Sequence, residues 1–340
     1  MLSWLKKNRL SLLLVLTLVM ALALAGCGKP AAQPEPPVEE PVEAVDEFAL
    51  VAEVADAYLS AKKPPTMSPE DVYNAVVSED PGVFILSIRS AEHYEKGHIP
   101  GAINIPYAEI WKEENLAKLP KDKKIVVICY TGHTASQATM LLNLLGYDAI
   151  AMKWGMMNWT SDPDVLNTKP FESAPEGYPI ETEKNELTET YELPVLNTGF
   201  SDVAEIIKAR AEAYLTAKKP PTIAPEDVYN AVVSEDPTMF ILSVRTAEHY
   251  EAGHIPGAYN IPYATVANAE NLAKLPKDKK IVVICYTGHT ASQTTMLLNL
   301  LGYDAVAMKW GMMNWTSDPD VLNTKPFESA PEGYPIEVGM

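Results

Sequence analysis

The stretch Ile125–Ser136, IVVICYTGHTAS, recurs unchanged at Ile281–Ser292. In each copy a β-branched run ends in a cysteine, a short loop built around a glycine follows, and a helix begins. KKIVVICY reads as a buried strand, because its apolar residues run on without alternation. A strand that passes through a loop into a helix points to a parallel sheet covered by helices on both faces. Cys129 and Cys285 then stand at the carboxyl ends of sheet strands, where open α/β sheets bind their ligands.

The loop residues suit an anionic sulfur. Gly132 and Gly288 let the backbone take angles that a side chain resists, so that N–H groups turn in around the thiol. The helix start adds further unpaired N–H groups and partial positive charge, surroundings that favour a thiolate and hold an anion beside it. Thr131 and Thr134, with Thr287 and Thr290, offer hydroxyl donors, and His133 and His289 a switchable proton. The competing reading is a buried, inert cysteine at a strand end. Preservation of the loop in both copies weighs against it, although a young duplication would preserve it too.

The recurrence extends well beyond the loop. Ala57–Glu181 aligns without a gap with Ala213–Glu337, with about 16 mismatches over about 125 positions. That period is too long for a solenoid and fits a duplicated domain. Mismatches gather at Glu109–Glu113 against Thr265–Ala269, which predicts a solvent-facing helix or loop. Matching VAEV at Val51 with VAEI at Val203 predicts an upstream helix about one turn longer in the second copy. Within a repeat, SPEDVYNAVV opens a helix with Ser68 as N-cap and Pro69 at its first position. VFILSIR is a short apolar strand, SAEHYEKG a short helix ending at Gly97, AINIPY a strand edge, and ENLAKLP a helical turn stopped by Pro120. TASQATMLLNLLGY is an apolar-faced helix closed by Gly146, and DAIAMKWG is the last strand. The domains run 48–182 and 200–340, joined by a linker over 183–199.

The amino terminus carries Lys6, Lys7 and Arg9, then the apolar run SLLLVLTLVMALALAG, then Cys27. Leu24-Ala25-Gly26-Cys27 resembles the lipobox of bacterial lipoproteins. That resemblance implies a signal peptide over 1–26, cleavage before Cys27 and a diacylglyceryl group on it, with the rest outside the cytoplasm and tied to a membrane. The competing reading is an uncleaved membrane anchor, for which the run is rather short. Residues 27–47, rich in Pro, Glu and Ala, read as a disordered tether. The net charge of −18 becomes −21 on losing the three basic residues, and no basic cluster lies elsewhere, which argues against nucleic-acid binding. Cys129 and Cys285, one per repeat, look like chemistry rather than a disulfide.

These motifs resemble the rhodanese family, in tandem and over nearly the whole mature chain. FILSIRSAEHYEKGHIPGAINIP and FILSVRTAEHYEAGHIPGAYNIP resemble the signature around GHIPGA, ICYTGHTAS the active loop, and GYDAIAMKWGMMNW and GYDAVAMKWGMMNW the closing strand and glycine turn. The resemblance implies an α/β fold of two rhodanese-like domains, each a parallel sheet with helices on both faces. It also implies sulfur transfer from a small donor such as thiosulfate, through a cysteine persulfide, to a thiol, cyanide or protein acceptor, without a cofactor. Carried over by position, Cys129 and Cys285 are the nucleophiles, and Tyr130, Thr131, Gly132, His133 and Thr134, with Tyr286, Thr287, Gly288, His289 and Thr290, cradle the persulfide. The alternative is a sulfur-carrying or partner-binding module with little turnover, suggested by Thr134 and Thr290 where many active members carry arginine. Ser87 and Ser243 replace the usual aspartate before Arg89 and Arg245, which are expected to serve the fold. A related cysteine phosphatase would need a longer loop with an arginine at Ala135. His98 and His254 are expected to fix turns, and no metal spacing links the histidines. Trp154, Met156, Met157 and Trp159 are expected in core or rim packing, with an apolar wall at a pocket mouth as the alternative.

Overall fold

In a computed structural model, which describes residues 45–168, 171, 177–323, 327 and 333–339, each repeat folds around a parallel five-stranded sheet. The segment read as a signal peptide, Cys27 and the segment read as a tether as far as residue 44 lie outside the described residues, and the end of that tether is corrected, since Asp46 caps the first helix and Glu47 begins it. Repeat one runs α1 (Glu47–Ser60), β1 (Thr66–Met67), α2 (Pro69–Val77), β2 (Val83–Ser87), α3 (Ala91–Lys96), β3 (Ile103–Asn104), α4 (Glu113–Leu116), β4 (Lys124–Ile128), α5 (His133–Leu144), β5 (Asp148–Met152) and α6 (Pro163–Leu166). Repeat two runs α7 (Val203–Thr216), β6 (Thr222–Ile223), α8 (Pro225–Val233), β7 (Met239–Ser243), α9 (Ala247–Glu251), β8 (Tyr259–Asn260), α10 (Ala269–Leu272), β9 (Lys280–Ile284), α11 (His289–Leu300), β10 (Asp304–Met308) and α12 (Pro319–Leu322). The sheet orders are β1-β5-β4-β2-β3 and β6-β10-β9-β7-β8, every neighbouring pair parallel. Among the described residues no helix is long and apolar enough to cross a membrane.

The uninterrupted apolar runs β4 and β9, expected to be buried, take the central places, and β3 and β8 lie at one edge as expected; the other edge, β1 and β6, was not read from the sequence. Ser68 caps α2, its Oγ accepting the Asp71 N–H at 3.0 Å, with Pro69 first in the helix. Ala224 stands at the same place before α8 and makes no such bond.

Two further expectations are corrected. The upstream helices are the same length, 14 residues each, so Glu47 corresponds to Val203 and the VAEV/VAEI match is not a structural register. The divergent segment around Glu109–Glu113 is only partly solvent-facing: Glu109, Glu113, Thr265 and Ala269 are exposed, but Ile110 and its counterpart Val266 are fully buried, and Ala267 nearly so. It lies beneath the other repeat's upstream helix, with α7 against the turn at Tyr107–Glu109 and α1 against the turn at Tyr263–Thr265. Asn268 Nδ2 donates to Asp56 Oδ1 at 2.9 Å, and Lys208 Nζ pairs with Glu113 at 2.7 Å.

Repeat ends therefore reach across the boundary between the repeats. Phe48 on α1 meets Tyr303 edge-on at 6.3 Å, and the Glu47 carboxylate accepts the N–H groups of Thr198 and Gly199 at 2.8 and 2.9 Å. The stretch read as a linker is laid along repeat two, Asn185 Nδ2 donating to the Ala258 carbonyl and Tyr191 N–H to that of Ala273. Just before it, Glu181 bridges His254; at the carboxyl end, Glu337 bridges His98 of repeat one. Between the sheets α5 and α11 pack on each other, and they are buried almost all round rather than on one face. Both apolar cores draw on both repeats, so burial here is shared and not separable by repeat.

Candidate active site

Strand β4 delivers Cys129, 1% exposed, to the carboxyl end of the first sheet; β9 does the same for Cys285, also 1% exposed. Both cysteines are free. Gly132 occupies the N-cap position of α5 at φ 87°, in the left-handed region, and its N–H points at Cys129 Sγ at 3.0 Å. Gly288 repeats this at φ 88° with the same 3.0 Å to Cys285 Sγ. The loop carbonyls face the other way: Met156 N–H donates to Cys129 O at 2.9 Å and Met157 N–H to Tyr130 O at 3.1 Å. Gly155 makes that turn possible, since a Cβ there would lie 2.4 Å from Cys129 O. With their carbonyls tied behind, the loop peptides are free to present N–H groups to the sulfur.

Of the expected loop residues, Tyr130, Thr131 and Thr134 are partly exposed, while Gly132 and His133 are buried; repeat two is the same. The histidines turn away from their own cysteines. His133 Nε2 accepts the Trp310 N–H of repeat two at 3.0 Å, and His289 Nε2 the Trp154 N–H of repeat one at 3.0 Å. Their rings stack with centroids 6.1 Å apart, so the two cysteine loops face each other across the repeat boundary. Burial, with Lys309 nearby, pushes His133 down to about 3, and burial, with His133 and Lys153, holds His289 well below its ordinary value. Both rings are thus neutral near pH 7 and do not supply the switchable proton expected of them.

Arg89 and Arg245 serve the fold, as expected, and their partners are carbonyls. Arg89 donates to Val165 O at 3.0 Å and to Gly97 O, and Arg245 to Val321 O at 3.0 Å and Gly253 O, tying α3 to α6 and α9 to α12. No carboxylate neutralises either, and Ser87 Oγ and Ser243 Oγ lie buried without partners among the described residues. Burial lowers both guanidinium pKa values, Arg245 to about 10, against the opposing pull of Tyr130 and Cys129 on Arg89 and of Tyr286 and Cys285 on Arg245. Arg89 also lies 5.7 Å from the Tyr130 ring centroid.

A polar cluster beside each cysteine loop escaped the sequence reading. Tyr130 Oη lies 2.6 Å from His93 Nδ1, which is 2.8 Å from Ser90 Oγ; Tyr286, His249 and Thr246 repeat it at 2.6 and 2.9 Å. The available signal was a hydroxyl residue three places before a histidine in both copies, kept through the exchange of Ser for Thr. His98 fixes its turn as expected, Nδ1 bonding Tyr94 O at 2.8 Å with the rings stacked at 3.7 Å. Trp154, Met156, Met157 and Trp159 are core residues; Trp154 packs on Phe327 and Trp310 at 4.8 and 5.6 Å rather than walling a pocket mouth. No cluster of metal ligands occurs among the described residues.

The rhodanese-like domain family matches residues 68–162 and 224–318. Putative sulfur carrier protein YrkF of Bacillus subtilis is 33% identical over 91 residues, 26% of this chain and 48% of that protein. A putative thiosulfate sulfurtransferase of Synechococcus elongatus is 26% identical over 289 residues, 72% of this chain and 77% of that one. The crystal structure of a thiosulfate sulfurtransferase from Pseudomonas aeruginosa aligns at 18% identity and a TM-score of 0.30, covering 83% of this chain and 49% of that one. The chain thus spans about half the length of some curated relatives it matches, YrkF at 48% among them.

Proposed function

The chain belongs to the rhodanese-like family, and we propose that it is a sulfurtransferase with two sites, at Cys129 and Cys285. The observation that carries this reading is the paired geometry of the loops: in both, a glycine N–H lies 3.0 Å from the cysteine sulfur at the start of a buried helix. The thiolate attacks the outer sulfur of a donor such as thiosulfate; the new S–S bond forms as the donor's S–S bond breaks, and sulfite departs with that electron pair. The terminal sulfur of the persulfide is then taken by a thiol or by cyanide, which leaves as thiocyanate and returns the thiolate. Tyr130–Thr134 and Tyr286–Thr290 form the cradle, their N–H groups and hydroxyls receiving the persulfide's charge.

A second reading, a carrier that loads sulfur without turning over cyanide, is favoured by the burial of both cysteines and by Thr134 and Thr290 in place of a loop cation. Intact mass of the chain lacking its first 27 residues, after thiosulfate, beside Cys129→Ser and Cys285→Ser, separates the two. One added sulfur per remaining cysteine, released as thiocyanate by cyanide, supports the enzyme. Loading without release supports the carrier, and no loading from thiosulfate or any thiol persulfide refutes both. We also propose that Cys27 is lipidated and holds the domains at the outside of a bacterial membrane; an unmodified Cys27 in membrane-derived protein would refute this.

A further inference from the structure

We propose that each cysteine loop is held in shape by the histidine of the other repeat's loop, so that His289 is a positioning residue for Cys129 and His133 for Cys285. This deepens the sulfur-transfer reading and rests on it only in taking Cys129 and Cys285 as the reacting groups.

The chain of contacts is short. His289 Nε2 accepts the Trp154 N–H at 3.0 Å. Trp154, at φ 67°, begins the turn whose next residues grip the first loop: Gly155 lies flush against Cys129 O, and the Met156 and Met157 N–H groups bond the Cys129 and Tyr130 carbonyls. The same imidazole also lies over the loop's own glycine, where a Cβ on Gly132 would come within 2.4 Å of His289 Nε2. His289 therefore touches the first site twice, once at the turn behind the loop and once at the glycine whose N–H meets the sulfur. His133 does the same to the second site, its Nε2 taking the Trp310 N–H and lying 2.4 Å from a Cβ on Gly288.

The tautomer follows from these bonds. An Nε2 that accepts a backbone N–H carries no proton, so Nδ1 carries it and donates to the hydroxyl of the threonine two places back, Thr287 for His289 and Thr131 for His133, at 2.9 Å in each case. Each ring, 3% exposed, is kept neutral by burial, which preserves the acceptor. The Trp154 and Trp310 N–H groups belong to buried residues, and without the histidine each would be left unpaired.

A purely local role for the histidine, inside its own loop, makes the opposite prediction. With the full chain in detergent, the rate of iodoacetamide alkylation is read at Cys129 and Cys285 separately by peptide mass, for the unaltered chain, His289→Leu and His289→Gln. Leucine fills the space without an acceptor; glutamine restores an acceptor at similar reach. Under His289→Leu, Cys129 is expected to react about tenfold faster, the factor that one buried hydrogen bond is worth. Cys285 is expected to change less than Cys129, because its loop loses only the bond from His289 Nδ1 to the part-exposed Thr287 hydroxyl while the turn behind it is still braced by His133. His289→Gln is expected to return Cys129 to within about threefold of the unaltered rate. A change confined to Cys285, or a glutamine variant no different from leucine at Cys129, overturns the proposal. Should the leucine variant not fold, ¹⁵N-histidine-labelled unaltered protein decides: a hydrogen-bond coupling between the Trp154 amide and His289 Nε2, with the proton on Nδ1, supports it, and a protonated Nε2 overturns it. Neither readout uses a sulfur donor, so failure here and failure of the sulfur-transfer reading are told apart.

Discussion

Lowering the pH from about 7.5 to about 5.5 is expected to remove about 2–3 kcal/mol of folding stability through two side chains alone, His133 and His289. Both are buried and neutral in the folded chain, His133 held down to about 3 and His289 well below its ordinary value. In the unfolded chain each titrates near about 6.5. Above that value neither state binds the proton, and the stability is fully present. Below it the unfolded chain binds a proton that the native chain refuses, so stability falls with pH until the folded values are reached. At about pH 5.5 the unfolded state gains about 1.4 kcal/mol per histidine, a figure set by the unfolded value because the folded ones lie far lower. Urea midpoints and slopes at the two pH values measure the loss. The control is His133→Gln with His289→Gln, which keeps the acceptors and removes the titration. If the control loses as much stability as the unaltered chain over this interval, the reasoning is refuted.

Gly155→Ala places a methyl group 2.4 Å from Cys129 O at φ 55°, and is expected to cost about 2–4 kcal/mol in urea unfolding and to expose Cys129 to alkylation. Ser68→Ala removes the cap of α2 and is expected to cost about 1 kcal/mol, whereas Ala224→Ser, which supplies the missing cap of α8, is expected to gain up to about 1 kcal/mol; equal thermal shifts of one sign for the two would contradict the capping argument. Arg89→Lys cannot span the carbonyls of both Gly97 and Val165 and is expected to lose about 2–3 kcal/mol, with α3 the first element to gain hydrogen exchange.

Much of this architecture was legible in the sequence. Apolar runs without alternation marked β4 and β9 as buried strands, Ser68-Pro69 marked the start of α2, and the glycine after each cysteine marked a backbone turned toward the sulfur. Each is a local matter of dihedral preference, capping or uninterrupted hydrophobicity. Two of the readings that failed concern surfaces. Glu109–Glu113 looked exposed because it varies, yet Ile110 within it is fully buried, and α5 looked one-sided until α11 closed its other face. The His93–Tyr130 contact joins residues 37 apart and depends on α3 meeting the cysteine loop at the strand ends.

The sequence by itself determined two α/β units, with one cysteine loop at a strand end in each. It could not determine where the loop histidines go. WGMMNW follows the last strand in both repeats, so His289 has two identical candidate turns, its own at Trp310 and the other at Trp154, 135 residues away. Tertiary structure chooses the distant one, because packing α5 against α11 sets the loops face to face and brings each imidazole over the other repeat's glycine. Hydrogen-bonding capacity is written in a residue, but the partner that uses it is fixed by how the apolar faces of the helices and sheets come together.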